Sequence, residues 1–384
     1  MKNKKVIVFG GDGFCGWPTS LLLAKEGFEV LIVDNLSRRD IDKKYNIPSL
    51  VKIASIEQRV ERANELIGDI SFLNIDVTDD AELRQCIKEF MPNVVVHFAE
   101  QRSAPFSMIS DVERRYTINN NTQGTHNILS AIVDINQKIE MIHLGTMGVY
   151  GYSDDLGPIP EGYLDVIIKE TGKEVTIPYP ANPGSVYHLT KCIDHLIFQY
   201  YHDNWGIEIT DLHQGVVWGI QTDLTGLHPD LNNRFDYDGI YGTVLNRFIM
   251  QASNDHPLTV YGTGGQKRAF INISDTARCV YLAISSPSVK DSGVRVFNQI
   301  SEIKTVLELA EMVSSMYDVK IDYIENPRNE RFQNELEVSN QGLKNIGFNP
   351  IYLNKGLIKD IHDLSLSLTD SFDSSIVLNS PKWK

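Results

Sequence analysis

Lys5-Val6-Ile7-Val8-Phe9-Gly10-Gly11-Asp12-Gly13-Phe14-Cys15-Gly16 is the stretch on which the reading of the fold turns. Val6 to Phe9 form a short apolar, β-branched run that reads as a strand, and Thr19–Lys25 has helical character, so the order is strand, glycine turn, helix. Glycines at 10, 13 and 16 meet three demands of a dinucleotide site: a tight turn, close backbone approach to a pyrophosphate, and tight packing of helix on strand. The helix N-terminus then faces the phosphates. The next apolar run ends Leu31-Ile32-Val33-Asp34 and so places an acid about 20 residues beyond the turn, where a carboxylate accepts the hydroxyls of an adenosine ribose. Arg38 and Arg39 could serve a 2′-phosphate, but Asp34 would repel one, and the expected cofactor is NAD rather than NADP.

Working outward, Glu29–Val33, Ser71–Ile75, Val94–Phe98 and Met141–Gly145 read as further strands, with helical stretches between them. Such alternation implies parallel pairing through right-handed crossovers: an α/β fold with a Rossmann-type doubly wound sheet and a ligand crevice at the strands' C-terminal ends. Residues 1–210 are assigned to the NAD-binding domain. Residues 211–384 are assigned mainly to a smaller C-terminal α/β substrate lobe, with some segments returning to the first domain. Val306–Tyr317 and Leu357–Leu368 read as helices, and Ser371–Ser375 as a loosely held tail. Asp76 and Val77, at the end of the third strand, could border the adenine; Asp76 reads equally well as a helix cap.

A hydrophobic fraction of 42% with 22% charged residues is that of a globular protein. No apolar run reaches the roughly 18 residues of a spanning helix, and the lysine-rich start runs directly into the first strand, so a cytoplasmic protein without membrane association is expected. The formal charge of -14 argues against nucleic acid as a partner and requires that any phosphate-bearing ligand be held by local cations. The four cysteines, at 15, 86, 192 and 279, lack metal-site spacing; reduced thiols and no metal are expected.

Tyr187-His188-Leu189-Thr190-Lys191 puts a phenol and an ammonium one turn apart on a helix that Gly184 or Ser185 would cap. A cation beside a phenol favours phenolate, which can take a proton from a sugar hydroxyl. With 16 tyrosines in the chain such spacing also arises by chance. Its position after the fifth strand gives it weight, because that strand ends in Thr146, a hydroxyl suited to hold the substrate oxygen that becomes a carbonyl.

With these residues in place the chain resembles the extended short-chain dehydrogenase/reductase (NAD-dependent epimerase/dehydratase) family that modifies nucleotide sugars, and within it the UDP-sulfoquinovose synthase branch. The likeness spans roughly residues 4 to 355 and rests on Gly10–Trp17, Val33–Leu36 with Arg38-Arg39, Glu100–Pro105, Leu144–Gly148, Tyr187–Lys191, Gln214–Val217, Asn233-Arg234 with Asp236–Asp238, and Leu258–Arg268. It implies catalysis by Thr146, Tyr187 and Lys191. It also implies NAD held by Gly10, Gly13, Phe14, Cys15, Gly16, Asp34, Asn35, Arg38, Asp76, Val77, Phe98, Ala99 and Asn121, with Asn120 and Asn121 on an active-site helix. A UDP-sugar would meet Gln101, Arg102, Met147, His188, Gln214, Arg234, Val260, Gln266, Arg268 and Arg328. Gln101, Arg102 and His188 are candidates to approach sulfite; Arg102 could instead pair with a structural carboxylate, and Arg328 could be a solvated surface charge.

The implied chemistry is oxidation of UDP-glucose at C4, loss of the C6 hydroxyl, addition of sulfite and re-reduction. One departure stands out. The synthases carry a glutamate directly before the tyrosine of the short segment after the fifth strand, and here that place is Val149, before Tyr150. An apolar side chain moves no proton. A UDP-hexose epimerase on the same scaffold is therefore the competing reading, and a noncatalytic NAD-sensing protein the remote one. The family also implies a homodimer, through helices over Asn121–Asp134 and Tyr187–Asp203.

Overall fold

The computed structural model describes residues 4–151, 157–286, 293–328, 334–366 and 373–378. Fourteen strands lie among them: β1 (Lys5–Phe9), β2 (Glu29–Val33), β3 (Ile70–Leu73), β4 (Val94–His97), β5 (Glu140–Thr146), β6 (Tyr163–Ile168), β7 (Lys173–Pro178), β8 (Ile209–Gln214), β9 (Val216–Trp218), β10 (Leu258–Tyr261), β11 (Lys267–Asn272), β12 (Arg295–Gln299), β13 (Glu302–Thr305) and β14 (Ile321–Ile324). The helices are α1 (Gly16–Lys25), α2 (Ser37–Tyr45), α3 (Ile56–Leu66), α4 (Asp80–Phe90), α5 (Asp111–Ile135), α6 (Val186–Trp205), α7 (Val244–Ala252), α8 (Ile273–Ser285), α9 (Val306–Tyr317), α10 (Gln341–Asn345), α11 (Lys355–Leu366) and α12 (Ser374–Leu378).

Seven strands form one parallel sheet in the order β12-β8-β5-β4-β1-β2-β3. The order reverses between β1 and β4, which opens the crevice at their C-terminal ends. Both faces are covered, as a parallel sheet requires. Val6 and Val8 pack with α1, α3 and α8 on one face, and Ile7 and Phe9 with α4, α5 and α6 on the other. The strand alternation of period two sends successive residues of β1 to opposite cores.

The remaining strands build the second lobe and an outlying hairpin: parallel β10–β14, a three-stranded β13-β11-β9 sheet, and antiparallel β6–β7. Phe248, Leu258, Phe270, Leu309 and Val313 form the lobe's own core. A boundary at residue 210 falls inside β8; β8 and β12 pair within the main sheet, and α8 packs on it. Trp17 ties the segment around Leu231 to the core of the main sheet. Its indole Nε1 donates to the Leu231 carbonyl at 2.8 Å, and the Arg59 guanidinium lies 3.9 Å from its ring.

The third strand ends at Leu73, two residues short of the expected end, so Asp76 lies in the following loop. α1 starts at Gly16 rather than Thr19, because Pro18 falls in the first turn, where its missing N–H costs nothing. α11 is described from Lys355 to Leu366; residues 367 and 368 of the expected helix lie outside the described residues. Of the expected tail, residues 371 and 372 also lie outside them. Residues 374 and 375 open α12, which buries Ile376 and Val377 against the lobe core, the apolar pair being the signal that a serine-rich reading overlooks. Among the described residues no helix is long and apolar enough to cross a membrane.

Candidate active site

One cleft runs from the β1–α1 turn, past the ends of β4 and β5, to the second lobe. Gly10 has φ of +79°, and a Cβ there would lie 2.5 Å from the Phe98 carbonyl carbon. A Cβ on Gly16 would lie 2.1 Å from the Gly10 carbonyl oxygen. Only glycine fits either place, so the turn packs against the loop after β4 and leaves bare backbone facing the cleft. That is the cradle a pyrophosphate needs. Asp34 accepts from the backbone N–H of Asp12 at 3.0 Å and of Leu36 at 2.8 Å. Burial first and the Asp12 charge second push its carboxyl up to about 6.

The two arginines that could have served a 2′-phosphate are both held by carboxylates. Arg39 forks onto Asp12 at 2.6 and 2.8 Å. Arg38 pairs with Asp42 and with Asp236 at 3.1 Å, its guanidinium 3.7 Å from the Tyr241 ring. The residues present therefore fit NAD.

α6 begins at Val186 because Ser185 caps it, its hydroxyl accepting the His188 N–H at 3.2 Å, a bond worth about 1 kcal/mol. Tyr187 and Lys191 then share one helical face at the cleft, opposite Thr146 at the end of β5. Thr146 and Tyr187 both line the cleft. Burial pushes the phenol well above its ordinary value, and the Thr146 side chain and the Arg102 charge pull back only part of that. Lys191 Nζ lies 6.0 Å from the centre of the Tyr187 ring, close enough to favour phenolate. Its own pKa is lowered by burial to about 8, against the pull of Asp194 and Asp211.

His188 occupies the cleft wall only because residue 148 is glycine: a Cβ there would lie 2.4 Å from its Nε2. Burial, then the Arg328 and Arg268 charges, hold this imidazole down to about 3, so it is neutral. Both guanidinium charges from the second lobe thus reach the catalytic end of the cleft. Arg328 lines the cleft, as do Gln214, Gln266 and Arg268, so it is not simply a surface charge. Cys15 also lines it; burial first raises its thiol to about 11, leaving it protonated.

Three expected contacts fall elsewhere. Asp76 does not line the cleft; its carboxylate accepts from the Thr78 N–H at 2.8 Å and from Asn35 at 2.7 Å, while Ile75 and Val77 face inward. Nor does it cap a helix, since Asp79 caps α4. Asn121 is fully buried as a brace, accepting from Gln101 N–H at 2.8 Å and donating to Thr190 Oγ1 at 3.0 Å, and Asn120 takes its place on the wall. Val260 points into the lobe core, and the alternation of β10 presents Thr259 and Tyr261 instead. Arg102 and Arg234 line the cleft but are paired with Asp236, and Arg234 also with Asp42 at 2.8 Å. Val149 is packed with Met147, Tyr150, Ile159 and Cys192 in an apolar cluster.

The sequence reading missed a buried polar row beneath α6. His97, His143 and Asp211 lie in register across β4, β5 and β8. Lys191 Nζ meets the Glu100 carboxylate, the Leu144 carbonyl at 2.7 Å and His143 Nε2 at 3.0 Å. Polar residues two apart in otherwise apolar strands, as in Asp211-Leu212-His213, were the available signal.

The model of the NAD dependent epimerase/dehydratase family matches residues 6–298. The chain is 41% identical to the chloroplastic UDP-sulfoquinovose synthase of Spinacia oleracea, over 100% of this chain and 80% of that one. It is 36% identical to the UDP-sulfoquinovose synthase of Sulfolobus acidocaldarius, over 90% and 88%. Among solved structures, UDP-N-acetylglucosamine 4-epimerase from Methanobrevibacter ruminantium, in complex with UDP-N-acetylmuramic acid, superposes with a TM-score of 0.70 at 22% identity, covering 96% of this chain and 99% of that one, a likeness of fold. A glycine cradle, an acid at the end of β2 and a Thr–Tyr–Lys set in one cleft are therefore an enzyme's equipment rather than a sensor's, and the chain belongs to the NAD dependent epimerase/dehydratase family, with NAD as its cofactor.

Proposed function

We propose that this enzyme acts on a UDP-hexose by transient oxidation at C4, and that its substrates are UDP-glucose and sulfite. The observation that carries the reading is the 41% identity to a UDP-sulfoquinovose synthase along the whole chain. Gln101, Arg102 and His188, the residues suited to a sulfite, all line the cleft beside Tyr187. Arg268 and Arg328 supply local positive charge for a diphosphate in a protein of net charge -14.

NAD, when bound, supplies reversible two-electron oxidation of the alcohol carbon. Tyr187 takes the C4 hydroxyl proton and Thr146 holds the C4 oxygen. Lys191 stabilises the phenolate that begins the step. A C4 ketone acidifies the C5 proton, which permits loss of the C6 hydroxyl. The neutral His188 imidazole lines the wall and is assigned that proton, a bound diphosphate offsetting the Arg268 and Arg328 charges that hold its pKa down; the same proton passes to the C6 hydroxyl, which leaves as water.

A second reading, a UDP-hexose 4-epimerase, is favoured by Val149, whose side chain sits in an apolar cluster where the synthases have a glutamate. Epimerisation needs no proton carrier beyond Thr146 and Tyr187. Incubation with UDP-glucose, with and without sulfite, followed by mass spectrometry and by chromatographic separation of the C4 epimers distinguishes the two: a sulfonated sugar nucleotide supports the synthase, and UDP-galactose of unchanged mass supports the epimerase. The enzyme acts as a homodimer in this reading, through the apolar stripe Leu189, Leu196 and Tyr200 that α6 exposes.

A further inference from the structure

Lys191 has three N–H donors and three acceptors of this chain around it: the Glu100 carboxylate, the Leu144 carbonyl and His143 Nε2. The Leu144 carbonyl accepts at every pH. The third accepts only while its ring is unprotonated there. His143 is fully buried, and its Nδ1 lies 2.8 Å from Asp211 Oδ1, so the proton of the neutral ring sits on Nδ1 and the lone pair of Nε2 faces the ammonium. Asp211 is itself fixed, its Oδ2 lying 2.9 Å from His213 Nε2. The result is a carboxylate–imidazole pair whose open end is applied to a lysine.

Resting on the reading of Tyr187 and Lys191 given above, we infer that His143, oriented by Asp211, is a positioning residue of the catalytic pair: neutral, it seats the Lys191 ammonium; protonated, it becomes a second cation against that ammonium and disables the pair. The groups facing the His143 ring are Lys191 and Asp194 from α6, Glu100 after β4, His97 on β4, and Asp211 with His213 on β8. Burial opposes protonation of His143, but the charge and hydrogen bond of Asp211 and the charge of Asp194 outweigh it, and its pKa stands above the ordinary value. The ring therefore takes up a proton more readily than an ordinary imidazole as the pH falls, and the acid limb of the rate belongs to it.

The test is the pH profile of C4 oxidation of UDP-glucose by the NAD-loaded enzyme. His143→Gln keeps a neutral acceptor but cannot take a proton, and Asp211→Asn keeps an acceptor for Nδ1 while removing the charge that favours the imidazolium. In each, the acid limb moves to lower pH by about one unit or more, whatever the change in plateau rate. A merely structural role lowers the rate at every pH and leaves the limb in place, and an unmoved limb in either folded variant overturns the inference. Histidine NMR titration of Lys191→Met gives a readout that needs no turnover: loss of the neighbouring cation raises the His143 pKa by about one unit or more, and an unchanged titration overturns the proposal. A wild type that fails to oxidise UDP-glucose would count against the substrate reading, while the NMR result would still decide the role of His143.

Discussion

Asp34 is the side chain to which the proposed site assigns cofactor choice. Its carboxyl is raised to about 6 by burial and by Asp12, and a ribose hydroxyl is best accepted by the ionised form. NAD affinity measured by calorimetry is then level above about pH 7 and falls as the pH drops through 6, at most about tenfold per unit. Asp34→Asn weakens NAD binding, flattens that dependence and improves relative tolerance of NADP; an unchanged affinity and slope would remove Asp34 from the site. At the same scale His188 is the neutral group to which the proposed elimination assigns the C5 proton. His188→Ala stops deuterium exchange at C5 and spares oxidation at C4, and exchange persisting at the wild-type rate would contradict the assignment. Glycines 10, 13 and 16, Asp34, Thr146, Tyr187 and Lys191 were legible because each follows a recognisable strand end or helix start. Asp76, Asn121 and Val260 were misplaced by one position in each case, since a neighbour faces the cleft instead and sequence spacing does not fix which side of a loop, helix or strand is turned inward.

At the scale of elements, α6 serves two purposes with two faces. Lys191, Asp194 and Phe198 turn inward, and Leu189, Leu196 and Tyr200 are exposed at helical spacing. An apolar stripe on an otherwise polar surface is unfavourable unless it is covered. Leu196→Glu puts a charge at its centre, and under the homodimer proposed above sedimentation should show a dimer for the wild type and a monomer for the variant; a wild-type monomer would contradict the assembly reading. The elements themselves were readable because strand and helix periods differ and the glycine turn marks their junction. The β6–β7 hairpin was not, since its residues show weak burial and pack as an outlier to the main sheet. The buried row of His143, Asp211 and His213 depends on the lateral order of β5 and β8, which are far apart in sequence, so their contact became visible only in the folded sheet.

On the scale of the whole molecule, the sheet reversal between β1 and β4 sets the NAD cradle and the Thr146–Tyr187 pair along one crevice, and the second lobe closes it with Arg268 and Arg328. A two-lobed α/β architecture followed from the alternation of strands and helices, but the returning β8, α8 and β12 could not be assigned by any linear boundary, because the chain crosses between lobes more than once. The central claim is that this cleft oxidises a UDP-hexose at C4 through Tyr187. Its most direct measurement is the near-ultraviolet absorbance of reduced nicotinamide after mixing NAD-loaded enzyme with UDP-glucose in the absence of sulfite. The account predicts reduction by the wild type, and in Tyr187→Phe a rate lower by about 10²–10⁴ with UDP-glucose still bound. A Tyr187→Phe rate within about tenfold of wild type, or no reduction of the wild-type cofactor by UDP-glucose, would contradict it.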